Sequence, residues 1–145
     1  MVRLLNLQHL YNMKKISFDF DGTLEDDFDG AHNKQKDELQ GLAKKFINEG
    51  HNVCVITKRY GPEFSNMGLL NEHLIVLNLA RNLGIKEVHF TNREMKDTFI
   101  HSLGIQIHFE NSEYEVDIIN KYFIDKPNKC LVIPVEDPCW RDLIY

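Results

Sequence analysis

Short apolar runs alternate along this chain with longer stretches of helical period. The first, Lys15-Ile-Ser-Phe-Asp-Phe-Asp-Gly-Thr-Leu24, begins as a strand and runs straight into two acids and a glycine. Strand side chains alternate faces, so Phe18 and Phe20 take one side while Asp19 and Asp21 take the other. Asn52-Val-Cys-Val-Ile56 is too short for a helix and rich in β-branched residues, which predicts a buried strand ending at Thr57. Glu87–Phe90, Ile105–Phe109 and Cys130–Val135 read as three further strands.

The stretches between them carry the other period. From Lys34 to Glu49, the residues Leu39, Leu42, Ala43, Phe46 and Ile47 fall on one helical face, and Gly50 follows as a stop. A second helix is expected over Glu72–Leu83, with Asn71 as its N-cap and Gly84 closing it. Thr98–Leu103 reads as a short helix and Glu113–Phe123 as a longer one. Glu25–Gly30 is an acidic loop, and Lys58–Asn71, with Gly61, Pro62, Ser65, Asn66 and Gly68, is a long one. Strands that alternate with helices predict an α/β fold: a three-layer, Rossmann-like parallel sheet of about five strands with right-handed crossovers. In such a sheet the ligand crevice lies beyond the carboxyl ends of the strands.

Composition narrows the picture. A chain of 145 residues, 43% hydrophobic, suffices for one core, so residues 14–145 are expected to form one α/β domain behind an N-terminal extension, residues 1–13. Met13, followed by Lys14 and Lys15, is an alternative start. The net charge of -5 gives no bulk support to nucleic-acid or anionic-membrane binding, although a local patch stays open. Cys54, Cys130 and Cys139 are odd in number and form no CxxC pair, which fits a reducing compartment better than disulfides or zinc. Asn6, Gln8, His9 and Asn12 interrupt the apolar positions at the start, and no later run reaches about eighteen apolar residues, so a cytoplasmic protein is expected.

Two carboxylates brought together repel, unless a cation or a proton holds them, and a metal-assisted acid/base site supplies both. A calcium loop starting at Glu25 is excluded, because Lys36 stands where the bidentate glutamate belongs. The string DFDGTL, Asp19–Leu24, resembles the first motif of the haloacid dehalogenase-like phosphohydrolase superfamily. The resemblance extends, motif by motif, from about Lys14 to Val135. It implies that Asp19 is a nucleophile that takes a phosphoryl group, and that Asp21 is the general acid and then base. It implies phosphate binding by Gly22, Thr23 and Thr57, with Lys58 adjoining, and charge balance by Lys96 in preference to Lys86 or Arg93. Magnesium would be held by Asp19, Asp21, Glu110 and Asn111. Here the chain departs from the pair of aspartates common in small members, and Glu113 or Asp117 is a candidate substitute.

Neither place where this superfamily inserts a cap is long enough for one, so a capless member with an open site is expected. Its substrate is a phosphorylated small molecule or a macromolecular phosphate. Three functions stay open: a magnesium-dependent phosphomonoesterase, a nucleotidase or nucleic-acid end phosphatase, and a binding or regulatory domain with a weakened metal site. Lys58 and Arg59 are either solvated loop charges or contacts to a second phosphate or a nucleic-acid backbone. Trp140 is either a lid, a stacking platform or tail packing, while His89 and His108 read as packing residues within strands.

Overall fold

A computed structural model describes residues 13–67 and 71–145. The five apolar runs form one sheet: β1 (Lys15–Phe18), β2 (Asn52–Thr57), β3 (Glu87–Phe90), β4 (Ile107–Glu110) and β5 (Leu131–Pro134). All neighbours are parallel, in the order β3-β2-β1-β4-β5. Phe18 of β1 lies in register with Val55 on one side and Phe109 on the other. The strand order reverses between β1 and β4, which places the crevice over the ends of those two strands.

The helices are α1 (Lys36–Asn48), α2 (His73–Leu83), α3 (Asp97–Ser102), α4 (Glu113–Phe123) and α5 (Arg141–Ile144). β2 shows why its sequence is apolar without interruption: both of its faces are covered. Val53 and Val55 join Leu39, Phe46 and Val76 in one core, while Cys54 and Ile56 join Ile100, Ile119 and Phe123 in the other. Phe18 and Phe109 stack at 4.5 Å between centroids with their planes 6° apart, locking β1 to β4 in the first core. The three-layer reading therefore holds, and no cap interrupts the described residues. No helix among the described residues is long and apolar enough to cross a membrane.

Boundaries moved where side chains found distant partners. α1 begins at Lys36, because Gln35 uses its side chain on Trp140 and on the Val135 carbonyl and gives the helix no side-chain cap. Glu72 takes the N-cap position of α2, and Asn71 contributes only its carbonyl, which accepts from the Leu74 amide at 3.2 Å. Gly84 does close that helix, in the left-handed conformation (φ 84°) that lets its amide reach the Ala80 carbonyl. The expected long loop contains a 3-10 helix, Pro62–Met67; Gly68 lies outside the described residues. β4 begins later than expected and includes Glu110, so that acid is held by the sheet itself. The proposed extension, residues 1–13, lies outside the described residues except for Met13.

The tail resolves the three readings of Trp140. After a 3-10 turn, Pro138–Trp140, the indole is 1% exposed and meets Phe109 edge-on at 6.4 Å. It is a piece of the core, and neither a lid nor a stacking platform. Replacing Trp140 by Ala should lower stability by about 3–5 kcal/mol, read as a shifted denaturant midpoint with unchanged slope; a loss under about 1 kcal/mol would contradict its placement.

Candidate active site

The end of β1 is shaped by its own backbone. Asp19 continues the ladder, its amide donating to the Phe109 carbonyl at 2.9 Å, and then the Phe20 carbonyl accepts from Thr23, Leu24 and Glu25. The chain turns back within that span. Gly22 is required there on two grounds: its φ is 75°, and a Cβ would collide with the Asn111 amide group and the Asp27 carboxylate. The Gly22 amide donates to the Glu25 carbonyl at 3.1 Å and that of Thr23 to Phe20, so both are engaged inside the turn. By contrast, the amides of Asp21 and Lys58 make no hydrogen bond to another described residue.

Lys96 stands at the centre. It occupies the N-cap position of α3 and is 2% exposed, with Nζ 2.6 Å from Asp19 Oδ1 and 2.7 Å from Glu110 Oε1. Thr23 donates its hydroxyl to Asp19 Oδ2 at 3.2 Å. Behind Glu110 a second contact runs through the sheet: His108 Nε2 lies 2.9 Å from Glu110 Oε1, and His108 Nδ1 lies 2.6 Å from Ser17 Oγ. Ser17 and His108 are register partners on β1 and β4, which is why they meet. Glu110 Oε2 also accepts from the Ser112 amide at 3.2 Å.

These contacts set the charges. Burial favours a neutral Glu110, but Lys96 and His108 outweigh it and hold the carboxyl well below the usual range. Burial likewise disfavours a charged Lys96, yet Asp19 and Glu110 raise its affinity for the proton above the ordinary lysine value. Burial keeps His108 neutral, so Nε2–H donates to Glu110 and the Ser17 hydroxyl donates to Nδ1. Asp19 is pushed the other way: burial first and Glu110 second raise it well above the carboxylate range, and Lys96 offsets only part of that.

Asp21 is held separately. Arg59 donates Nε to Asp21 Oδ2 at 3.0 Å and Nη2 to Asp21 Oδ1 at 2.7 Å, and anchors itself with Nη1 on the Glu72 carbonyl at 2.8 Å. Thr57 is buried at the end of β2, and its Oγ1 accepts from the Arg59 amide at 3.3 Å. Lys58 Nζ turns to the buried Glu115 carboxylate at 3.5 Å. The structure therefore joins Asp19, Thr23, Lys96 and Glu110 in one contact network, links Asp21 and Thr57 through Arg59, and sets Asn111 over Gly22. Neither loop cation is simply solvated: Arg59 positions Asp21, and Lys58 pairs with Glu115.

Two residues here were not expected. His108 is a structural link in the site and not a packing residue; the signal lay in its place two residues before Glu110, on the same strand face. Asp27 comes up against Asn111, with Nδ2 at 3.4 Å from Oδ1, from a loop that showed no periodicity. Glu113 and Asp117 instead line a different cavity, which they share with Asn111, Glu136 and Asp137.

The donor set fits a hard divalent cation. Asp19 and Glu110 share one ammonium, so two carboxylates face a single positive charge there. The Asp19 carboxylate, the Asp21 main-chain carbonyl and the Asn111 side chain are oxygen donors of the type magnesium takes. Glu110, the fourth expected metal ligand, receives two donors on Oε1 and one on Oε2.

No known family profile matches this sequence, and no curated relative does. Among solved structures, a Vibrio cholerae chain assigned as a 3-deoxy-D-manno-octulosonate 8-phosphate phosphatase is similar, with 17% identity and a TM-score of 0.48. The match covers 83% of this chain and 72% of that one. A likeness of that degree speaks neither to activity nor to substrate.

Removing the shared cation should leave two buried carboxylates uncompensated. Lys96→Met, measured in chelator, should cost about 3–5 kcal/mol, and adding Glu110→Gln should restore part of it. Additive losses from the two substitutions would mean that the pair is not coupled.

Proposed function

We propose that this chain hydrolyses phosphomonoesters through a phosphoryl group carried on Asp19. The observation that carries this reading is the buried trio of Asp19, Lys96 and Glu110 at the strand-order reversal, with Asp21 two residues on. An acid made this costly by burial is kept in a fold when it is used. The resemblance of the DFDGTL string to a phosphohydrolase motif points the same way.

In the first step an Asp19 oxygen attacks phosphorus, the bond from phosphorus to the leaving oxygen breaks, and Asp21 gives that oxygen a proton. In the second step Asp21 takes a proton from water, whose oxygen displaces the Asp19 carboxylate and releases inorganic phosphate. The amides of Asp21 and Lys58 and the Thr57 hydroxyl are the donors we assign to the phosphoryl oxygens. Lys96 offsets part of the cost that burial and Glu110 put on an ionised Asp19, the form that attacks. Magnesium, held by Asp19, the Asp21 carbonyl and Asn111 with Glu110 behind, supplies the remaining charge neutralisation when bound. Three free thiols, two of them buried, suit a reducing compartment, and we place the protein in the cytoplasm on that ground.

With an aryl phosphate and magnesium, the unmodified protein should release phosphate. Asp19→Asn should reduce the rate at least about a thousandfold, and chelator should abolish it. Hydrolysis that survives in Asp19→Asn, or that needs no metal, would overturn the assignment.

A further inference from the structure

A ladder of alternating rings and guanidinium groups borders Asp21. The Arg59 guanidinium lies 5.2 Å from the Phe20 ring centre and 4.8 Å from that of Phe28. Arg93 continues the ladder, 5.5 Å from Phe28 and 4.5 Å from Tyr60. Phe28 thus lies near two cations, yet it is 60% exposed and lies on a polar loop. Beside it opens a cavity of about 240 Å³ lined by Asp21, Phe28, Lys58, Arg59 and Arg93.

Both guanidinium planes are fixed before any ligand arrives. Asp21 and the Glu72 carbonyl hold Arg59, while the Glu72 carboxylate holds Arg93 at 2.8 and 2.9 Å. The backbone is bent to allow it: Asn92 and Arg93 have φ of 56° and 72°, in the left-handed region that side chains disfavour. The Gly61 amide, donating to Asn92 Oδ1 at 2.9 Å, and the Arg93 amide, donating to the Lys58 carbonyl at 2.8 Å, hold that bend. Strain of this kind persists at sites that use it.

Charge decides what the corner suits. Asp21 and Glu72 already neutralise Arg59 and Arg93, so a second phosphate gains little there. The exposed part of the Phe28 ring and the guanidinium N–H groups that Asp21, Glu72 and Lys58 leave unused remain. Nucleobases match both features, since each has a π face and a polar edge. We propose that this cavity is the leaving-group site and that it seats the base of a nucleoside phosphate, against Phe28 and the two guanidinium planes. This rests on the phosphohydrolase reading, because Asp21 on the cavity wall is the group that would protonate the leaving oxygen. Free mononucleotides and phosphorylated oligonucleotide ends share that chemistry.

The test compares kcat/KM for adenosine 5′-monophosphate, a 5′-phosphorylated oligoadenylate and ribose 5-phosphate, in the unmodified protein, Phe28→Ala and Arg93→Gly. The glycine removes the guanidinium while relaxing the φ of 72°, so the fold should keep its melting temperature. One or both adenine substrates should exceed ribose 5-phosphate by about tenfold or more, and whichever leads identifies the source. Each variant should lower kcat/KM for the adenine substrates more than for ribose 5-phosphate, bringing that ratio to within about twofold. A ratio near one in the unmodified protein, or one that survives both variants, overturns the proposal. If no ester is turned over, the hydrolase reading fails, and calorimetry on Asp19→Asn decides the site by itself. Adenosine 5′-monophosphate must then bind at least about tenfold more tightly than ribose 5-phosphate and lose that margin in Phe28→Ala; equal binding refutes it.

Discussion

A single buried ammonium, that of Lys96, holds this site together. Asp19 directly follows β1 and Glu110 ends β4, and both acids are taken out of water at the point where the strand order reverses. Two unpaired buried carboxylates would each cost several kcal/mol, and their repulsion would add to that. Lys96 enters from the start of α3 and bonds to both, so a helix and two strands depend on one charge. The network then divides the acids. Glu110 receives Lys96, His108 and the Ser112 amide and stays ionised; Asp19 has Lys96 and Thr23 and retains a high affinity for positive charge.

That division bears on the departure from the paired-aspartate pattern. Asn111 brings an oxygen donor without a charge, and it packs over Gly22, where any side chain would displace it. Asp27 stands directly against it, and burial together with Asp29 and Asp21 raises the affinity of Asp27 for a proton. A carboxylate oxygen thus stands 3.4 Å from the Asn111 amide nitrogen, supplied by a loop. The mouth of the site follows a similar economy. Arg59 steadies Asp21 and at the same time offers its other surface to Phe28, so one guanidinium serves both the acid and the cavity beside it.

The strands, their order of appearance and the acids at their ends were legible because period-two patterns and glycine stops are local. Asp19, Thr57, Lys96 and Glu110 could be brought to one crevice by the rule that parallel strands deliver their carboxyl ends to the same edge. What the sequence concealed depends on pairing across long separations. Ser17 became part of the site only because its register partner is His108, on a strand far away in the chain. Arg59 lies next to Thr57 and looks like a loop charge until its side chain is seen to cross to Asp21. Trp140 was ambiguous because an apolar residue in a tail carries no period; Gln35, which secures it, is equally uninformative in isolation. The N-cap of α2 moved for a similar reason, since the carboxylate of Glu72 is occupied by Tyr60 and Arg93.

The central claim is chemical: a phosphoryl group passes through Asp19. An Asp21→Asn protein lacks the base for the second step, so it should retain that group. It should be mixed with an activated aryl phosphate and magnesium, quenched in acid and analysed by peptide mass spectrometry. The account predicts one added phosphoryl group on the peptide containing Asp19, removed by hydroxylamine and absent when Asp19 is also changed to Asn. Release of the aryl alcohol with no label on that peptide, or with the label on another residue, would contradict it.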